Sequence, residues 1–464
     1  METRFEPTQY LLQAAANALL ECENGPDRTF APEDWEAVFG IAYRWFRAFG
    51  RESLEDLSQN APDSVTAGEK LLNECPDRLA MLVADALTTN SIAPPVCISR
   101  TPVHLDAPYG AVVFAAFPRA IEELAPLLVD GLEEQMRSRR FSGVVAIYDT
   151  WMQKDGYPER ILRLDAENNV IVEQGVLNPC RPERILLLLG PGSDEATWHR
   201  RWHDVASNCG IDVANPYEFA YIADDKWQTF HILQNAGVPT PVTRLVPPDT
   251  AFTAEMCLSL VDGPSAPVVA KPRHGTEGLA ATVCNPAETT DPLKAIWERG
   301  DDALLQPFTN DLVWVDEVGE VHTAVLRMNV TCNAQGASRA ESGFVHVAAH
   351  GCGIASVGHG GKLRPILRSA LRVRIGGRLT PFPVHLTTQC QACACAAVDA
   401  VAAASHKTRL AGVDIVVSAG DDGVPRALAL EVNPRPAGLS HSRFVSAGWE
   451  TEEEPGVSRL MWGE

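Results

Sequence analysis

The sequence contains no uninterrupted apolar run near the roughly 18 residues that a membrane-spanning helix requires. Residues 1–7 mix charges and lack the apolar stretch of an export signal. Positive charge is also scarce, with 39 Lys and Arg against 60 Asp and Glu, a formal net charge of −21 over 464 residues. Nucleic acid and anionic lipid are gripped by clustered cations, so neither suits this chain as a partner. The 12 cysteines are diluted and mostly sit singly within apolar segments, which argues against a disulfide scaffold and for reduced thiols in a cytoplasm. The turn GPGSDE (190–195) has neither dinucleotide-fingerprint glycine spacing nor a P-loop lysine, so it reads as an ordinary strand-to-helix turn.

What remains is an ordinary globular composition, 45% apolar and 21% charged, long enough for two or three units. Residues 1–100 carry apolar and aromatic residues at helical spacing, for example Trp35, Phe39, Ala42 and Phe46. They predict a helical N-terminal region whose stripes are core and whose apolar character suits a homodimer. From 101 the period changes. GAVVFAAF (110–117), SGVVAIYD (142–149) and RILLLLG (184–190) have strand length, with helical patterns at 119–138 and 194–208 and a hairpin over 151–175. Alternation of this kind predicts an open α/β sheet domain over 101–215.

The chemistry-bearing residues lie further on. Lys226 opens an amphipathic helix ending at Gly237, where a solvent-facing role would also account for it. A buried strand (267–270) ends in Lys271, and a loop with Gly275 and Gly278 leads to a second strand (279–283). Glycines in such a loop let backbone N–H groups approach phosphate oxygens, beside a lysine charge. ALLQPF (303–308) is an apolar strand whose end offers backbone donors and acceptors. Arg327 sits in an apolar strand (321–330) and needs an anionic partner, from a salt bridge or from substrate. Strands 413–418 and 426–432 flank a turn at Asp421-Asp422-Gly423, bringing Asp414 beside Glu431, with Asn433 on the same face as Glu431. Two carboxylates and an amide oxygen form the oxygen-rich nest that Mg²⁺ prefers, an acidic surface hairpin being the other reading, and Arg435 follows at once.

Lys226, Lys271-Pro272 with the loop to Gly278, Gln306-Pro307-Phe308, Asp414 and Glu431-Val432-Asn433-Pro434-Arg435, in that order, resemble the ATP-grasp superfamily. The likeness covers roughly 215–445, and stand-alone carboxylate-amine ligases acting on amino acids or peptides are the members it suggests. It implies an α/β grasp fold: an ATP-grasp domain over 216–450, preceded by the open α/β sheet domain (101–215) and the helical lead (1–100), with an acidic tail (451–464). It further implies that Lys226, Lys271 and the loop with His274, Gly275, Thr276 and Gly278 contact ATP phosphates. Gln306 and Phe308 meet adenine, and Asp311 is a ribose contact. Asp414, Glu431 and Asn433 hold two Mg²⁺ ions, with Mn²⁺ as an alternative, and Arg327 and Arg435 face an acyl phosphate. The implied activity is amide or peptide bond formation from small-molecule carboxylate and amine substrates, with ADP as product. The alternatives are a carboxylate kinase and a nucleotide-binding regulatory or scaffold protein; a carboxylase component is weakened by the lack of a biotin-attachment motif.

Two segments depart from the better-known members. Residues 333–380 are long and glycine-rich, with His346, His350, His359 and Lys362, and predict a flexible cover over the site; a surface loop without a role and a histidine metal site are the other readings. Cys390, Cys393 and Cys395 fall in an alanine-rich helix whose small side chains suit close packing, while a redox or zinc role lacks a fourth ligand.

Overall fold

The computed structural model describes residues 96–436, apart from 107, 116–143, 166–169, 189–194, 249, 251–258, 260–265, 277, 317, 334, 365, 367–369 and 421. The helical stripes expected before residue 96, the helix expected over 119–138 and the acidic tail lie outside the described residues. The chain divides into two compact units, residues 1–185 with 205–212, and residues 186–204 with 213–464. No described helix is long and apolar enough to cross a membrane.

The first unit is built on strands β1 (Val96–Val103), β2 (Gly110–Phe114), β3 (Val144–Tyr148), β4 (Arg160–Asp165) and β5 (Val170–Val176). β6 (Arg184–Leu188), helix α1 (Glu195–Asn208) and the two-residue β7 (Asp212–Val213) are cut by the division. The sheet order is β1-β5-β4-β3-β2-β6-β7. β2 and β3 are buried along their whole length, as continuous apolar runs inside a covered sheet should be. β4 and β5 pair antiparallel, which is the expected hairpin over 151–175.

The second unit holds helices α2 (Tyr217–Ala223), α3 (Lys226–Asn235), α4 (Thr290–Trp297) and α5 (Val384–Ala404). Its smaller sheet joins β8 (Arg244–Val246), β9 (Val268–Pro272), β10 (Thr282–Cys284) and β11 (Ala303–Pro307) in the order β10-β9-β11-β8. The larger one has β15 (Lys362–Arg364), β14 (Ser338–Val347), β13 (Val321–Cys332), β12 (Leu312–Val315), β16 (Leu371–Ile375) and β17 (Arg378–Pro381) in that order. β18 (Leu410–Ser418) pairs with β13, and β19 (Arg426–Asn433) with β18.

α5 covers this larger sheet. Leu386, Cys390, Ala394, Ala397, Val398 and Val401 recur at three- and four-residue spacing and are buried against β14, β18 and β19. The alanines and cysteines bring helix and sheet close, so Cys390 and Cys393 serve as small core side chains. Burial pushes both thiols up, Cys393 to about 11, which keeps them protonated and unreactive at neutral pH.

Residues 333–380 differ from the expected flexible cover. Strands β14 to β17 run through much of the segment, and its longest stretch without a strand is 348–361. Gly343 marks close approach: a Cβ there would lie 2.1 Å from the Arg327 carbonyl oxygen on the neighbouring strand. The strand expected at 279–283 also starts later, at Thr282, because 278–281 is a turn closed by the Ala281 N–H on the Gly278 carbonyl, in which Ala280 has a φ of 62°.

Candidate active site

Two neighbouring strands of the larger sheet carry the carboxylates. Asp414 on β18 stands opposite Glu431 on β19, and Asn433 lies opposite Gly412. The register shifts just after Asp414, a bulge that re-aims the side chains at this point. On the other side of β18, Arg327 of β13 pairs in register with Asp414. Its Nε is 2.5 Å from Asp414 Oδ1 and its Nη2 3.1 Å from Oδ2, a two-pronged contact between buried side chains. The Asn433 amide nitrogen reaches Asp414 Oδ2 at 3.4 Å. Arg327 can lie there because β18 has glycine at 412, where a Cβ would come within 2.9 Å of the Arg327 Cδ.

The cations come from the smaller sheet and the helix before it. Lys226 opens α3, donates to the Gly275 carbonyl at 2.5 Å and stands 4.0 Å from Glu431 Oε2. Lys271, near the end of β9, is 7% exposed. Burial of its ammonium lowers its pKa to about 8; Glu431 partly offsets this, and Lys226 adds to it. Lys226, Lys271, Glu431 and Asp414 therefore share one electrostatic neighbourhood, although they are far apart in sequence.

A network unsuspected from the sequence fixes this corner. Asp225 caps α3, accepting from the backbone of Trp227 and Gln228, and also binds both prongs of Arg273, at 2.9 and 2.6 Å. Arg273 reaches Asp302 as well, at 3.0 Å. Burial alone would raise the Asp225 carboxyl, but the Arg273 and helix N–H bonds outweigh it and hold it at about 2. The glycine loop begins directly after Arg273. His274 is tied to Asp301 through its backbone and ring, Gly275 and Gly278 have positive φ, and Thr276 accepts from the backbone of Leu279. His359, from the loop 348–361, lies 2.8 Å from the Gly278 carbonyl, so that loop rests on the glycine loop.

Other predicted contacts have partners of their own. Gln306 donates to Thr243 Oγ1 at 2.6 Å, and the Phe308 N–H goes to the Pro267 carbonyl. Asp311 Oδ2 accepts from the Ala419 N–H at 2.8 Å. Arg435, expected to face substrate, is gripped instead by protein groups: Asp224 at 2.7 and 2.8 Å, Glu195 at 3.0 Å, and the His199 ring at 3.1 Å. His199 is fully buried and its other ring nitrogen meets the Asn215 carbonyl. The Asn215 side chain bonds the Pro434 carbonyl and both backbone groups of Leu187. Asp224 and Asp225 are adjacent acids before Lys226, a signal the sequence contained; nothing local marks Glu195, His199 or Asn215.

Residues 223–439, from the helix with Lys226 to just past Arg435, match the family model of an ATP-grasp domain. The chain contains an ATP-grasp domain. Among solved structures, VanG D-Ala:D-Ser ligase from Enterococcus faecalis aligns at 12% identity over 76% of this chain and 97% of its own, with a TM-score of 0.48. D-cycloserine synthetase DcsG aligns at 16% over 76% and 97%, TM-score 0.45. The D-alanine-D-alanine ligase from Coxiella burnetii aligns at 12% over 71% and 86%, TM-score 0.43. No curated protein matches in sequence. ATP-grasp domains generally use ATP with Mg²⁺. The donor chemistry here fits such an ion: Asp414, Glu431 and Asn433 offer oxygens from paired strands, and a lysine ammonium already stands by Glu431.

Proposed function

We propose that the protein is an ATP- and Mg²⁺-dependent carboxylate-amine ligase that forms an amide or peptide bond through an acyl phosphate. The observation that carries this reading is the meeting of Lys226 with Glu431 at 4.0 Å, beside the Asp414–Glu431 cross-strand pair. A reaction that brings ATP to a carboxylate gathers two anions in one place, and it needs fixed cations and oxygen ligands side by side.

In this reading the substrate carboxylate oxygen attacks the γ-phosphorus and ADP leaves. The amine nitrogen then attacks the acyl carbon, phosphate departs, and the amine loses a proton. Lys271 and Lys226 bind the ATP phosphates, and the loop with His274, Gly275, Thr276 and Gly278 closes over them with its backbone. Gln306, Phe308 and Asp311 form the nucleoside end. Asp414, Glu431 and Asn433 would hold Mg²⁺, which when bound neutralises charge on the phosphates. Arg327 fixes Asp414 and adds positive charge beside it. Arg435 anchors the end of β19, since Asp224 and Glu195 already answer its charge.

The neighbours named as D-Ala:D-Ser ligase and D-cycloserine synthetase make amino acids and related small acids the first substrates to try. The test is ADP release with a panel of amino acids and small acids, with and without Mg²⁺, followed by mass spectrometry of the products. The reading expects Mg²⁺-dependent ADP release stimulated by an acid and an amine together, with an amide product. ATP binding without stimulated ADP release across the panel would favour a nucleotide sensor instead.

A further inference from the structure

Away from the nucleotide residues, the hairpin joining β12 to β13 brings Asp316, Glu320 and His322 together, with one ligating atom from each within 4.8 Å of the others. His322 Nε2 is 3.4 Å from Asp316 Oδ2. The other Asp316 oxygen is spent on the backbone N–H groups of Val318 and Glu320, which fixes the carboxylate and leaves Oδ2 turned to the cluster. A further donor stands beside these three, from a different segment: His350 Nδ1 is 3.1 Å from Glu320 Oε2, and the His322 and His350 rings lie edge to face with centroids 6.2 Å apart, so a small shift of the exposed His350 ring would bring it in as a fourth ligand.

A second feature speaks for ligation rather than simple ion pairing. His322 Nδ1 is 3.2 Å from the Ala348 carbonyl, which can only accept, and with the proton at Nδ1 the Nε2 lone pair would be available to an ion beside the carboxylates. A histidine whose far nitrogen is held by a backbone carbonyl is the usual arrangement of a metal-ligating imidazole. Two imidazoles and two carboxylates select a zinc-class ion, which takes Zn–N distances of about 2.0–2.1 Å, whereas Mg²⁺ and Ca²⁺ prefer oxygen alone.

We propose that Asp316, Glu320, His322 and His350 bind one zinc-class divalent ion that ties the base of the loop 348–361 to the β12–β13 hairpin. The site is separate from the ATP-grasp carboxylates and stands or falls independently of the ligase reading. Its role is structural: the same loop ends at His359 on the Gly278 carbonyl, so an ion at its base would hold the loop over the glycine loop.

The probe is Co²⁺, added to the full chain after chelator treatment and dialysis, with excess Mg²⁺ present. Saturable uptake of one Co²⁺ per chain is expected, with the visible absorption of a four-coordinate ion. His322→Gln and His350→Gln should each weaken Co²⁺ affinity at least 10-fold, while Glu431→Gln leaves it unchanged. The His350 side chain is 76% exposed, so its replacement tests the site without disturbing the core, and far-UV circular dichroism checks both variants. The proposal is overturned by absence of saturable Co²⁺ binding, by binding that survives both histidine substitutions, by binding lost in Glu431→Gln, or by cobalt-thiolate bands.

Discussion

Arg327 lies across Gly412 to reach Asp414, passing where a side chain at 412 would stand. The two residues sit on adjacent strands, and the absence of a Cβ on one is the space for the guanidinium stem of the other. Gly412→Ala should therefore push Arg327 off its carboxylate. Overpacking of this kind costs about 1–3 kcal/mol. Chemical denaturation should show that loss together with a fall in turnover of the proposed reaction; an alanine variant with unchanged midpoint and activity would mean that the pair tolerates displacement.

Glu431→Gln keeps the shape of the side chain and removes its charge beside Lys226. Turnover should fall by about 100-fold or more, equivalent to roughly 2.7 kcal/mol of transition-state stabilisation. The melting temperature should stay close to that of the unaltered protein. Steady-state ADP release and thermal melting give the two readouts, and retained activity would remove Glu431 from the metal set.

Lys271 titrates at about 8 in the folded protein against 10.5 unperturbed. The unfolded chain thus binds the proton more tightly between those values, so this residue's contribution to stability rises with pH from about 8 to 10.5 and is flat below 8. Phosphates arriving beside it should restore the charge. ATP binding at pH 8 should take up about half a proton, measured by calorimetry in buffers of different ionisation enthalpy. Lys271→Arg should abolish the uptake, and Lys271→Ala should weaken ATP binding itself.

His199 behaves differently. Burial, followed by the neighbouring Arg435 charge, lowers its pKa to about 3 from 6.5. Between these values the unfolded chain is protonated at this position while the folded one is not, so stability declines as pH falls from 6.5 toward 3. The slope from this one residue is at most about 1.4 kcal/mol per pH unit. Denaturation midpoints measured from pH 7 to 4 should flatten in His199→Asn; an unchanged acid slope would show that other groups set it.

The strands that bear the site were readable because their signals are local. β18 and β19 are strand-length apolar runs flanking a polar turn, so a hairpin that brings Asp414 beside Glu431 followed from local pattern, whereas the bulge after Asp414 had no such signal. Lys226 at a helix start and Lys271 at a strand end were equally plain. The partners of Arg435 were not, because Glu195 and His199 lie more than 200 residues away along the chain and no spacing rule spans that distance. Glycine misled in one place: its density in 333–380 suggested a mobile cover, yet Gly343 is inside a strand because its neighbour's backbone leaves no room for a Cβ. The grouping of Asp316, Glu320 and His322 was not singled out in the sequence, and only the fold brings His350 back to their hairpin.

The anchoring of Arg435 bears on where this protein can be cut. The family match starts at 223, but two of the groups that neutralise or flank that guanidinium, Glu195 and His199, belong to the stretch 186–204, and Asn215 supports the Pro434 carbonyl from just upstream. A fragment expressed from 223 would keep Asp224 and forfeit the rest, exposing a core arginine and the end of β19 together. The smallest piece that can stand alone is set by where the charges of its last strand are answered, and that point lies well before the first residue of the recognisable domain.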